Sequence, residues 1–305
     1  FKQVGLAFAT KMPAASATHI EVYGLLQTEA FHIAKCCAED LKSKFDDKYA
    51  EPTIKSMLEC EWDRFVEAKK IELKGDLWAY TESVLCFVNN NLIGNHKELL
   101  QWAQYDSNYE DFRPDALYSA MATEGYRDYF LNSDNEFVFM DISIDSEKSG
   151  RLLFELYSSI CPKTCANFRS LCTGEKGSLP SGLQLNYSSS PIHRIVPNGW
   201  IQGGDILHGR GDGGESIYGE VFEDENFAVP HDTRGVLGMA NKGRHTAGSQ
   251  FYITLQPSPW MNCQYVAFGR LIEGTELLKT MENLPTFNER PKVDCRISGC
   301  GKFVP

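Results

Sequence analysis

Nowhere in the 305 residues does an apolar run approach the ~20 residues that span a bilayer as a helix. The ten cysteines include no CxxC pair and no pair of pairs at zinc-finger spacing. Neither a dithiol redox motif nor a structural zinc site is therefore written in the chain. Cys36 and Cys37 are adjacent, which strains any ordinary disulfide between them. Basic residues are also short: 30 Lys and Arg stand against 41 Asp and Glu, a formal net charge of −11. Phosphate binding rests on clustered Lys and Arg, so this balance argues against a nucleic-acid partner. An acidic surface keeps a protein soluble and favours basic protein partners. The expectation is a soluble protein with reduced thiols in a cytoplasmic setting, with no membrane contact, no metal and no cofactor.

What is present divides into two stretches of different grammar. The length exceeds a typical single domain of ~100–200 residues, so two domains are expected. Residues 1–18 read as a leader without a readable address. Residues 19–105 alternate short apolar runs with helical patterns. Ile20–Leu25 reads as a strand, Thr28–Phe45 as a helix with Thr28 as N-cap, Pro52–Leu58 as a strand and Glu61–Leu73 as an amphipathic helix. Val84–Val88 and Leu92–Ile93 are strands about an Asn turn, and His96–Gln104 is a closing helix. This β-α-β-α-β-β-α order resembles the thioredoxin and glutaredoxin family over about 85 residues. That family places its CxxC at the first helix N-terminus, whose field lowers the thiol pKa. Here Thr28-Glu29-Ala30-Phe31 occupies the place, and Glu82-Ser83 stands where the family has its cis-proline. The chemistry is missing, which leaves a scaffold or docking role.

Residues 106–135 form an aromatic-rich connector, with a helix expected after Pro114. Tyr105, Tyr109, Phe112, Tyr118, Tyr126, Tyr129 and Phe130 in and beside it point to a segment packed on a domain or partner. From 136 to 305 short strands are punctuated by glycines, with a helix over Cys161–Cys172; this pattern suggests a closed antiparallel barrel.

Motifs sharpen that reading. Phe168–Gly174, His193-Arg194-Ile195-Val196, Gln202-Gly203-Gly204-Asp205, Ser216–Gly219, Phe222–Phe227, Met239-Ala240-Asn241, Gly248–Phe251 and Val266–Gly269 occur in this order. Together they resemble the cyclophilins over about 170 residues. The resemblance implies an eight-stranded antiparallel barrel capped by two helices, beside an N-terminal α/β domain. It also implies a groove on the barrel's outer face that holds a peptide at an X-Pro bond. Ser178–Ser190 looks like the loop insertion of the divergent members, with Cys165 and Cys172 as structural thiols near it.

Rotation about a peptide C–N bond faces a barrier of ~18–20 kcal/mol because the nitrogen lone pair is shared with the carbonyl. A catalyst needs no nucleophile, base or metal; it must bind the twisted bond more tightly than either planar form. A guanidinium aimed at the prolyl nitrogen draws that lone pair out of resonance. By resemblance Arg194 takes this role, Gln250 holds the neighbouring carbonyl, and His193 is the histidine beside them. Asn241 and Ala240 grip the peptide backbone, with Gly211 and Gln202 lining the same site. Tyr252, Trp260, Met261 and Tyr265 build the proline slot, Tyr252 standing for Phe, Met261 for Leu and Tyr265 for His.

Two departures put activity in doubt. Counted without a gap from His193 to Gln202, Gly199 falls where the family has its pocket Phe and Trp200 where it has Met. Neighbouring strand residues face opposite sides, so Trp200 does not simply take the Phe position. Lys242 replaces a common Ala and adds a cation beside the groove. Three readings follow: an active prolyl isomerase, a weak or inactive cyclophilin that holds proline-containing segments within a larger assembly, and a redox protein. The redox reading lacks its motif. The runs His193–Gln202 and Ala240–His245, with the thioredoxin-like first half, resemble one divergent cyclophilin branch in particular. That resemblance implies lost activity and a place in motile cilia, among axonemal radial-spoke proteins; no residue encodes the location.

Overall fold

A computed structural model of the chain describes residues 17–305, so residues 1–16 of the leader lie outside the described residues. The chain packs as two units. One takes residues up to Met57 with Ala79–Thr123, and the other takes Leu58–Trp78 with Glu124–Pro305.

The first unit starts with strand β1 (Ile20–Leu25), helix α1 (Glu29–Lys44) and strand β2 (Thr53–Met57). β1 and β2 pair in parallel, which requires the crossover that α1 supplies. Thr28 sits at the N-cap position, but its hydroxyl donates to the Leu25 carbonyl instead of accepting from the helix. Helix α2 (Glu59–Leu73), begun two residues earlier than its periodicity indicates, belongs to the second unit. The sequence division places it in the first. Strands β3 (Val84–Val88) and β4 (Asn91–Gly94) follow, then helices α3 (His96–Ser107) and α4 (Asp115–Leu131). The sheet order is β2-β1-β3-β4, with β3 antiparallel to both neighbours. Every β3 residue is buried, as expected of a continuous apolar run at the middle of a sheet. Ile20 and Val22 of β1 join Phe31, Ala34, Cys37 and Leu41 of α1 and Leu99 of α3 in one core.

The aromatic connector divides. Tyr109 and Tyr118 are buried in the first unit, where Arg113 and Tyr109 both bond to Asp40 of α1. Tyr126, Tyr129 and Phe130 pack in the second unit against Phe137, Leu153 and Ile272. Tyr105 and Phe112 are exposed, with the Lys44 and Arg113 cations over the Phe112 ring.

The second unit is an eight-stranded, nearly closed antiparallel barrel. Its strands are β5 (Glu136–Ile144), β6 (Glu147–Leu156), β7 (Ile192–Val196), β8 (Trp200–Gly203), β9 (Val236–Met239), β10 (Phe251–Thr254) and β11 (Ala267–Glu273). A short hairpin of β12 (Thr286–Phe287) and β13 (Arg290–Pro291) precedes the last strand, β14 (Cys295–Lys302). The order is β14-β5-β6-β11-β9-β10-β8-β7, and residues 189–191 beside β7 bond back to β14. Helices α5 (Pro162–Thr173) and α6 (Thr275–Glu282) contribute Phe168, Leu171, Leu277, Leu278 and Met281 to the barrel core. Phe168 is ringed by Phe154, Tyr187, Phe251 and Phe268 at centroid distances of 5.1–6.3 Å.

Several motif residues serve this frame. Glu225 accepts from the Lys163 and Thr164 amides, capping the positive N-terminus of α5. Asn167 bonds to the Gly248 carbonyl and to the Ile217 amide. α2 is tied into the same unit: Glu59 accepts from the Gly274 and Thr275 amides at the start of α6. Glu61 of α2 and Glu155 of β6 both hold Arg270, at 3.0 and 2.7 Å. All ten cysteines are free thiols. Burial pushes the Cys37 thiol up to about 12 and raises those of Cys36, Cys165 and Cys172, the reverse of what a reactive thiol needs. Among the described residues no helix is long and apolar enough to cross a membrane, and no cluster has the make-up of a metal site.

Candidate functional site

The β7–β8 hairpin sets the site. Arg194 pairs with Gln202 and Val196 with Trp200, which puts Arg194, Trp200 and Gln202 on one face of the two strands. The Arg194 guanidinium lies over the Trp200 ring, 5.0 Å from its centroid, and Trp200 leans on Trp260 with centroids 5.7 Å apart. Trp260 is exposed at the edge of this group. The Trp200 indole donates to Gln202 Oε1 at 3.3 Å, and Gln202 Nε2 donates to Gln250 Oε1 at 2.9 Å. Gln250 Nε2 then donates to the Gly213 carbonyl at 2.6 Å, so the chain of donors ends on the facing loop.

That loop is built by a residue absent from the sequence candidates. Asp205 is buried and its carboxylate accepts from the amides of Leu207, His208, Arg210, Gly211 and Gly213, at 2.8–3.1 Å. Burial alone would raise its pKa; the backbone donors outweigh burial and hold the carboxyl well below the usual range. The wrapped loop lays Gly211 on the His193 imidazole. Its φ is +97°, and an added Cβ would lie 2.8–2.9 Å from the ring, so glycine is required twice over. His193 is buried, and burial lowers its pKa. The glycines clustered after Gly204-Asp205 are the sequence signal that could have pointed to this carboxylate.

The residues expected to build the proline slot gather around Tyr252. Tyr252 is buried on β10, edge-on to Tyr265 at 5.9 Å. Its hydroxyl donates to His231 Nε2 at 2.6 Å, while His231 Nδ1 donates to Asn262 Oδ1 at 2.9 Å. The Asn oxygen, which also accepts from the His231 amide, sets this tautomer. The hydroxyl fits because residue 238 is glycine; a Cβ there would collide with it. Met261 is buried in the turn that also carries Tyr265, whose amide donates to the Met261 carbonyl. Neither His231 nor Gly238 carries a sequence signal, because only the folded barrel brings β9, β10 and residue 231 together.

The peptide-gripping candidates lie on the next loop. The Ala240 amide donates to the Gln250 carbonyl, and the Asn241 side chain donates to the Gln264 carbonyl at 3.0 Å. Lys242 turns its ammonium to the Asp212 carbonyl at 3.0 Å, so its charge is tied to the Asp205-built loop. Gly199 lies in the turn before β8, its amide donating to the Val196 carbonyl at 2.9 Å. A Cβ at this position would meet Val196 Cγ1 at 2.9 Å, so a side chain there requires Val196 to shift. Trp200 instead occupies the Arg194 face.

One further residue meets Arg194. The β12–β13 hairpin turns through Asn288 and Glu289, with φ of +49° and +64°. Glu289 accepts from the Ile195 amide with its backbone carbonyl at 2.7 Å and from Arg194 Nε with its carboxylate at 2.6 Å. Nothing in the local sequence around Asn288-Glu289 links it to Arg194, nearly a hundred residues earlier.

His231 and His193 make the site acid-sensitive. Burial lowers both folded-state pKa values below 6.5, so the folded chain binds fewer protons than the unfolded one as pH falls. Their contribution is present above about pH 6.5 and is lost as pH drops through and below that value. Thermal unfolding should therefore show Tm falling between pH 7 and 5, with a shallower slope in His231→Gln. Parallel slopes in the two proteins would remove His231 from the account.

A family model described as cyclophilin type peptidyl-prolyl cis-trans isomerase/CLD matches residues 139–302. The chain is 49% identical over 294 residues to a Bos taurus protein named "Probable inactive peptidyl-prolyl cis-trans isomerase-like 6", covering 96% of each. Proteins of the same name from Mus musculus and Homo sapiens are 50% and 51% identical. The matches cover 95% and 92% of this chain, and 93% and 91% of the relatives. With the barrel, the motif order and these relatives in agreement, the chain belongs to the cyclophilin family of peptidyl-prolyl cis-trans isomerases.

Proposed function

We propose that this chain is a divergent cyclophilin that holds proline-containing protein segments, with isomerisation weak or lost, as one component of a larger protein assembly. The observation that carries this reading is Gly199. The slot keeps Tyr252, Met261 and Tyr265, yet the place of its pocket ring is a glycine in the turn beside Val196. Truncating a buried aromatic costs ~3–5 kcal/mol in a core. A deficit of even ~1.4 kcal/mol confined to the twisted state slows turnover tenfold. The "Probable inactive" in the relatives' names agrees with this reading.

The first unit is proposed to be thioredoxin-like and redox-empty, serving as a docking element. Its order β2-β1-β3-β4 and its high thiol pKa values support that reading. The proposed setting is cytoplasmic, at the axoneme of motile cilia among radial-spoke proteins; the support is resemblance to that cyclophilin branch alone. Immunolocalisation that found the protein wholly outside cilia would remove it.

The second reading is an active isomerase, favoured by Arg194, Gln202 and Gln250 sharing one connected face. Exchange NMR spectroscopy of an X-Pro peptide with the full chain separates the two. Peptide shifts without accelerated exchange are expected. Acceleration that disappears in Arg194→Ala would put the enzyme first.

A further inference from the structure

We infer that Glu289 is the residue that silences Arg194: its carboxylate, preset by the β12–β13 turn, spends the guanidinium before a peptide arrives. The inference rests on the weak-isomerase reading above and names a cause for it. A surface ion pair between two flexible side chains is weak, because holding both costs entropy and salt screens them. This pair differs on one side. The Glu289 backbone is anchored by its carbonyl to the Ile195 amide at 2.7 Å, one residue from Arg194. Its φ of +64° is a conformation that glycine adopts freely and glutamate rarely does. A side chain is thus kept where a hydrogen would suit the backbone better, and it points at Arg194 Nε, 2.6 Å away.

The consequence follows from what the guanidinium must do. It stabilises the twisted bond through positive charge and aimed N–H donors at the prolyl nitrogen. A carboxylate in contact with it opposes the field at that point, in part only, since the two side chains are 41% and 44% exposed to screening solvent. It also takes one of the five donors outright. The guanidinium also lies over the Trp200 ring, 5.0 Å from its centroid, so it has a partner beyond the carboxylate. Binding of the proline ring in the slot needs neither the charge nor the donor. Holding the peptide and turning its bond are thereby separated.

The test is exchange NMR on the full chain with an X-Pro peptide, comparing wild type, Glu289→Gln and Glu289→Gly, each also with Arg194→Ala. Gln keeps an acceptor and removes the charge, while Gly suits the positive φ and guards against a folding artefact. At least a tenfold rise in the exchange rate of bound peptide is expected in both variants, with the dissociation constant changed less than threefold. The gain should vanish when Arg194→Ala is added, a dependence that a merely structural role for Glu289 would not produce. Slow exchange in wild type and in both variants, with peptide still bound, would overturn the inference and leave the peptide-holding reading in place. Fast, Arg194-dependent exchange already present in wild type would overturn both.

Discussion

Arg270→Ala should destabilise the barrel unit by up to ~3–5 kcal/mol, since it leaves the buried member of a partly exposed ion pair alone. Glu155 is the member left behind. It is buried on β6, and without Arg270 its remaining side-chain hydrogen bond among the described residues is from the Asn135 amide at 2.8 Å. Burial disfavours the charged guanidinium, yet the Glu155 and Glu61 carboxylates more than reverse this and raise its pKa. Removing it strands one carboxylate in the barrel wall and frees another on α2. At ~2–4 °C per kcal/mol for a unit of this size, Tm should fall by up to ~6–20 °C. The double change Arg270→Met with Glu155→Leu should recover most of the loss, because two apolar groups need no counter-charge. A drop under ~1 kcal/mol for Arg270→Ala would show that water reaches Glu155 and that α2 is a minor part of the unit.

Asp205→Ala should cost on the order of 3 kcal/mol and detach the loop that faces the candidate site. Buried N–H groups that lose an acceptor cost ~1–3 kcal/mol each, reduced where the loop can open to water. Five amides lose theirs together here. Gly211 would no longer cover His193, and the Gly213 carbonyl would no longer fix Gln250. Peptide binding should weaken at least tenfold while the far side of the barrel keeps its hydrogen-exchange protection. Fast exchange of the Gly211 and Gly213 amides in the variant is the direct readout. Protection equal to wild type would mean that the loop is held by its packing and not by the carboxylate. The same group carries a pH dependence. With its folded pKa held below the ordinary 3.8, Asp205 contributes stability above that value and loses it as pH falls further.

Much of this was legible before the structure. Binary pattern located the strands and helices of both stretches, because a period of two or 3.6 residues is written locally. Short glycine-punctuated strands suggested a closed barrel, and runs such as Gln202–Asp205 and Gly248–Phe251 carried the resemblance that implied eight strands. Arg194 and Gln202 were expected in one site; the hairpin pairs them and adds Trp200 to the same face.

The rest depended on the fold. α2 reads as an ordinary amphipathic helix of the first stretch, and only contact with β11 and α6 assigns it to the barrel unit. Tyr252 reads as a mild replacement for Phe, yet its hydroxyl requires Gly238 and His231 on other segments. Gly199 reads as a lost side chain; the turn shows that one placed there would press on Val196. Glu289 lies 95 residues from Arg194 in sequence and 2.6 Å from it in space. Sequence by itself determined the elements, the family and the list of groups available for chemistry, since propensity, periodicity and motif act over short spans. Only the tertiary structure decided which of those groups are free to act, because charge, exclusion and burial are set by whatever the closed barrel places beside them.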